Sequence, residues 1–260
     1  MPIIQEGRIM DLLLFIVLSA AMYYYLERIR SNKPLPRIRR LAAFEAIEEG
    51  VGRAVETGKM VFMEAGFGTL TRGAYAPMTM AGMNVLRHVA KLCAERDAKL
   101  QFGATGYEIL PLAEGIVEEA YKVAGKSDEF SEDMIHFFGS GFAGNMSEAS
   151  YMVENGCACL VMVGAFSTSC LVLLGASRRS GAITIGGTGR WIMMYAFGIA
   201  SDFLFILEDI YAAGALASGD TTVMTTLAVE DILKYLVLAL SIIGGLLAMI
   251  AVDFVSFIKM

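Results

Sequence analysis

Cys157-Ala-Cys-Leu-Val-Met-Val-Gly164 is apolar along nearly its whole length and closes on a glycine. A strand with one wet face would alternate apolar and polar residues. A run without alternation fits a strand covered on both sides, as in a parallel sheet packed between helices. The same order recurs on either side of it: a short apolar run, a turn rich in glycine and serine, then a helical pattern. Downstream come Ala182–Ile185, ending at Gly186-Gly-Thr-Gly189, and Phe203–Leu207, leading into a helix over Glu208–Ala217. Upstream stand Met60–Met63 before Gly66 and Gly68, Lys99–Gly103, and Met134–Phe138 before Gly139-Ser-Gly141.

The intervening helices read from their stripes. Met83, Leu86, Ala90 and Cys93 recur at spacings of three and four within 79–96, with Thr79 as the expected N-cap. In 110–124, Ile116, Ala120 and Val123 form the inward stripe, while Glu118 and Lys122 form an i,i+4 pair on the wet one. Further helices are expected over 142–154, from Ser167 to Ser180, and from about Arg190. Residues 42–57 read as one amphipathic helix that precedes the first strand. Strand–helix repetition of this kind predicts an α/β fold with an open, mostly parallel, doubly wound sheet of about six strands. A closed barrel would need eight units and about 250 residues.

Two apolar runs bracket this domain. Residues 10–27 are almost uninterrupted hydrocarbon and aromatic, and 235–258 carry the single charge Asp253. Each approaches the roughly 20 residues that a helix needs to cross a bilayer, so one N-terminal and one C-terminal transmembrane helix are expected. Arg28, Arg30, Lys33, Arg37, Arg39 and Arg40 follow the first run, and only Arg8 precedes it. Basic residues favour the cytoplasmic side and anionic headgroups. The expected order is an outer tail 1–9, a span 10–27, a basic juxtamembrane linker 28–41, a cytoplasmic domain 42–220, a linker 221–234 and a span 235–258, both termini outside. The net charge of −6 argues against a nucleic-acid partner. Four cysteines without CxxC spacing and only two histidines argue against zinc. Cys157 and Cys159, two apart in a strand, are expected to point the same way.

Ligands of an open parallel sheet sit beyond the carboxyl ends of its strands. Candidate binding residues there are Gly66, Gly68, Ser140, Ser167, Gly186, Gly187, Thr188 and Arg190. Glycines admit close backbone approach and Arg190 suits an anion. Neither a complete GxGxxG nor a GxxxxGK[ST] is present, and Ser140 lacks the flanking glycines of a nucleophile elbow, since Phe138 and Phe142 stand in their places. Glu64 is expected to face the cleft. A metal bridged by Glu64, Glu208 and Asp209 is a weaker reading. No cofactor is required by the sequence, and the balance leans away from an enzyme.

Several segments carry a family resemblance: Phe44-Glu-Ala-Ile-Glu-Glu-Gly-Val-Gly-Arg-Ala-Val-Glu-Thr-Gly-Lys59, Gly82-Met-Asn-Val-Leu86, Ala120-Tyr-Lys-Val-Ala-Gly-Lys126, Gly181-Ala-Ile-Thr-Ile-Gly-Gly-Thr188 and Glu208-Asp-Ile-Tyr-Ala-Ala213. Over residues 42–220 the chain resembles the prokaryotic, membrane-anchored family known as domain of unknown function 6754. The resemblance implies a membrane-anchored α/β domain and supplies no reaction. The family pattern has a Glu after Gly164-Ala-Phe166, where this chain has Ser167-Thr-Ser169. Two functions follow as expectations: an oligomeric scaffold or accessory subunit of a membrane complex, or a tethered domain that binds a nucleotide or another anion.

Overall fold

The computed structural model describes residues 9–31, 40–219 and 221–249. The chain forms two units, one of residues 1–38 and 220–260, the other Arg39–Gly219. In the first, α1 (Ile9–Arg30) and α9 (Thr221–Met249) contact one another. The stretch 221–234, expected as a linker, is helical and continuous with the apolar run behind it. Among the described residues, no helix is long and apolar enough to cross a membrane. The expected spans fall on α1 and α9. Residues 250–258 of the second span, the outer tail 1–8 and Lys33, Arg37 and Arg39 lie outside the described residues. Arg30 pairs with Glu27 at 4.0 Å, and Arg28 donates to the Tyr24 hydroxyl at 3.4 Å. Arg40, in the second unit, reaches Glu45 at 3.9 Å.

The second unit is an all-parallel sheet of β1 (Met60–Gly66), β2 (Leu100–Ala104), β3 (Ile135–Phe137), β4 (Cys157–Ala165), β5 (Ile183–Thr188) and β6 (Phe203–Ile206), in the order β3-β2-β1-β4-β5-β6. α2 (Ala42–Thr57), α3 (Ala76–Glu95), α4 (Leu110–Val123) and α8 (Asp209–Ser218) pack on one face, in the cluster around Val61, Met63 and Val163. α5 (Gly141–Asn155), α6 (Cys170–Ser180) and α7 (Met194–Ala200) cover the other, around Phe62, Leu160 and Met162. β4 sits at the centre and is buried at every position, which is why its sequence shows no alternation.

Four local expectations change, the first in α4, where Val123 is 69% exposed and Ala113, Val117 and Tyr121 join Ile116 and Ala120 on the buried face. α3 starts at Ala76, with Pro77 in its first turn, so Thr79 is a buried helical residue rather than a cap. Cys157 and Cys159 point to opposite faces, because a register shift lies between the Met60↔Cys157 and Val61↔Cys159 pairs. Gly186, Gly187 and Thr188 lie inside β5 rather than in the loop after it. A Cβ at Gly186 would run into the Phe197 ring, and one at Gly187 into Phe205. The glycines there let a helix and the edge strand approach closely.

Candidate functional site

β1 and β4 are the neighbours at which the strand order reverses, so the crevice of this fold opens beyond their carboxyl ends. The first layer of that crevice is closed by protein. Gly66 pairs with Ala165, and the Phe67 N–H donates to the Ala165 carbonyl at 2.8 Å. Gly66 has φ +77°, and a Cβ there would fall on the Ala165 carbonyl. Thr105 donates its hydroxyl to the Gly66 carbonyl at 2.9 Å. A side chain at Gly68 would collide with Ile109. Glu108 holds the next residues: its carboxylate accepts from the Leu70 N–H at 2.8 Å and from the Thr71 hydroxyl at 3.1 Å. The Leu70 bond, foremost among its contacts, holds the Glu108 carboxyl below its ordinary range.

Arg190 closes the crevice from β5. Its guanidinium donates to the Phe166 carbonyl at 2.5 Å and lies 5.5 Å from the Phe67 ring centre and 5.3 Å from that of Tyr75. Its backbone N–H donates to the Thr188 hydroxyl at 3.2 Å. Among the described residues, it forms no ion pair. It is a half-buried cation held by two aromatic faces and one carbonyl. Ser167, next to Phe166, shares a 2.8 Å hydrogen bond with the Ser169 hydroxyl.

The structure therefore gathers Gly66, Ser167, Thr188 and Arg190 around one crevice, through Phe67 and Phe166. Gly68 sits one step out. Ser140 stands apart: it is the exposed residue before α5, beyond β3, and its side chain makes no capping bond. Gly186 and Gly187 serve the interior of the sheet. Glu64 does not open to the cleft. It is 1% exposed, on the face of β1 that α5 covers. Glu208 and Asp209 follow β6, which β4 and β5 separate from β1, and Asp209 accepts from the Ile206 N–H at 3.1 Å. Among the described residues, no group of three or more His, Cys, Asp or Glu is arranged to hold a metal ion. All four cysteines are buried, and burial pushes the Cys157 and Cys170 thiols up to about 12.

Two features escaped the sequence. One is Glu148, a buried partner for Glu64 on α5. Position 148 falls among the inward residues Gly144, Ala149 and Met152, which is the signal that was available. The other is a rim. Each strand delivers an exposed apolar side chain to the carboxyl edge of the sheet: Leu70, Tyr107, Phe142, Leu171, Trp191 and Ile206, in strand order. Trp191 is 77% exposed and Tyr107 71%. No sequence period reveals this, because the six residues share that edge only through the topology.

The chain belongs to the family described as a domain of unknown function, DUF6754, whose model matches residues 1–259. The match extends beyond 42–220 and takes in both terminal runs. No curated protein and no solved structure matches the chain.

Proposed function

We propose that this chain is an oligomeric scaffold or accessory subunit, tethered to a prokaryotic cell membrane, that docks through the carboxyl edge of its sheet. The apolar rim carries the reading. Monomeric proteins seldom leave large apolar side chains exposed together, and interfaces are enriched in aromatic residues. The six rim side chains offer an area on the order of the ~800 Å² that each partner gives to a standard interface. The tether rests on the sequence: the apolar runs 10–27 and 235–258, with Arg28, Arg30, Lys33, Arg37, Arg39 and Arg40 after the first. In this reading the domain is cytoplasmic and both termini are outside. The test is the native mass of the protein extracted gently from its own membranes. A large homo- or hetero-complex supports the reading, and a monomer sinks it.

Arg190 favours a second reading, an anion held at the β1–β4 crevice. A guanidinium already fixed by Phe67, Tyr75 and Phe166 needs little further ordering to take a phosphate or carboxylate. If this holds, Arg190→Ala removes thermal stabilisation by inorganic phosphate and leaves the native mass unchanged. If the loop is an interface, the mass shifts and phosphate has no effect in either protein.

A further inference from the structure

Glu64 on β1 stands in register with Gly103 on β2. Glu148 reaches down from α5 over that same glycine: a Cβ at Gly103 would lie 2.6 Å from Glu148 Oε1. The missing side chain is what lets the second carboxyl reach the sheet beside the first. Glu64 is 1% exposed and Glu148 0%. Among the described residues, Glu64 Oε2 and Glu148 Oε1 have no hydrogen-bond partner. The other Glu148 oxygen accepts one long bond, 3.4 Å, from Asn145 Nδ2. Two bare carboxylates side by side in an apolar layer would leave buried charge uncompensated, a state that buried acids escape by keeping a proton.

We infer that Glu64 and Glu148 form a proton-holding carboxyl pair that latches α5 onto the sheet, and that loss of the proton loosens α5. Burial first, and then the charge of Glu148, hold the Glu64 carboxyl well above the ordinary carboxylate range. Burial pushes Glu148 up to about 8. The groups around the pair do not offset this. Asn145 on α5 is neutral, and the Cys170 thiol on α6 is pushed up to about 12, foremost by burial. In the adjoining layer His136 of β3 and Tyr151 of α5 both bond to Gln101 of β2. Burial lowers His136 from its ordinary 6.5 and raises Tyr151, so both favour the neutral form around neutral pH.

The sign follows from the raised values. Closed α5 keeps a proton that hydrated, opened α5 gives up, because the exposed carboxyl returns towards 4.5. Stability of the closed form is full below that value and falls as pH rises towards about 8. Each proton released on opening multiplies the opening constant about tenfold per pH unit, and the pair holds up to two. The inference is independent of the assembly reading.

The experiment is hydrogen exchange of the full-length chain between pH 6.5 and 8, corrected for intrinsic exchange, with α4 as the internal control. α5 amides should open at least about tenfold more often per pH unit, α4 amides should not respond, and Glu64→Gln with Glu148→Gln together should flatten the α5 slope. A flat wild-type slope, or equal slopes in both proteins, overturns the latch. Should the double variant not fold, the infrared carbonyl band of a protonated carboxyl decides the matter. The wild type shows it at neutral pH and Glu148→Gln weakens it. A wild type without the band refutes the pair.

Discussion

The two edges of this sheet are made from different residues. The carboxyl edge carries Tyr107, Phe142, Leu171 and Trp191 in the open, and beside β1 and β2 its glycines Gly66 and Gly106 are pressed against backbone, whereas Gly139 and Gly141 after β3 have open space around them. The amino edge carries Lys59, Arg96, Asp97, Lys99, Arg178 and Asp202, and its glycines have open space around them, as at Gly58 and Gly181. Both glycine pairs meet the turn of a chain, but for different reasons. Gly58 and Gly181 end helices in the left-handed region, with φ +67° and +68°. Gly66 also has a positive φ, yet the nearer constraint is the Ala165 backbone. The carboxyl edge is tight around β1 and β2, and the amino edge is solvated.

The largest expected effect sharpens that contrast directly. Gly66→Ala should cost about 4 kcal/mol of unfolding free energy, because the methyl group must displace the β4 backbone. Gly181→Ala should cost only about 1 kcal/mol, the penalty of the left-handed conformation alone. Chemical denaturation of the two variants checks the pair, and equal costs would break the distinction. Next, Trp191→Glu should weaken self-association by about 2 kcal/mol, roughly thirtyfold, as expected of a central aromatic anchor. Arg178→Glu on the amino edge should leave the native mass unchanged. A mass that responds to Arg178 and ignores Trp191 would place the interface on the wrong edge. The smallest effect belongs to the Arg96–Glu48 pair, 3.0 Å apart and largely exposed. Glu48→Gln should shift the unfolding free energy by less than about 1 kcal/mol, visible only as a slight change in denaturation midpoint.

The sheet could be read from the sequence because its signals are local. β4 has no alternation because both of its faces are covered, and 42–57 has a stripe because only one face of α2 is. The end of β5 could not be read this way. Gly186-Gly187 has no side chains to show a period, and its partners, Phe197 and Phe205, lie on later elements. The crevice is partly legible: Arg190, Ser167 and Gly66 stand out as residue types at strand ends, whereas their meeting through Phe67 and Phe166 is a matter of topology. Glu64 stands out in the sequence, but its environment does not. A carboxylate at the end of an apolar strand suggests a cleft, and here α5 covers it. The bulge at Cys157 turns on one unpaired residue, which no pattern of apolar side chains encodes.

Trp191 is the single tryptophan of the chain, and it projects from the rim. Selective excitation of the indole therefore yields an optical signal from one spot on the surface. While the edge is bare, its emission should be red-shifted and open to collisional quenchers. When something dry covers it, the emission should move to the blue and the quenchers should lose access. The protein carries its own dye at the place where assembly is proposed, and the purified, unlabelled protein is enough to follow it.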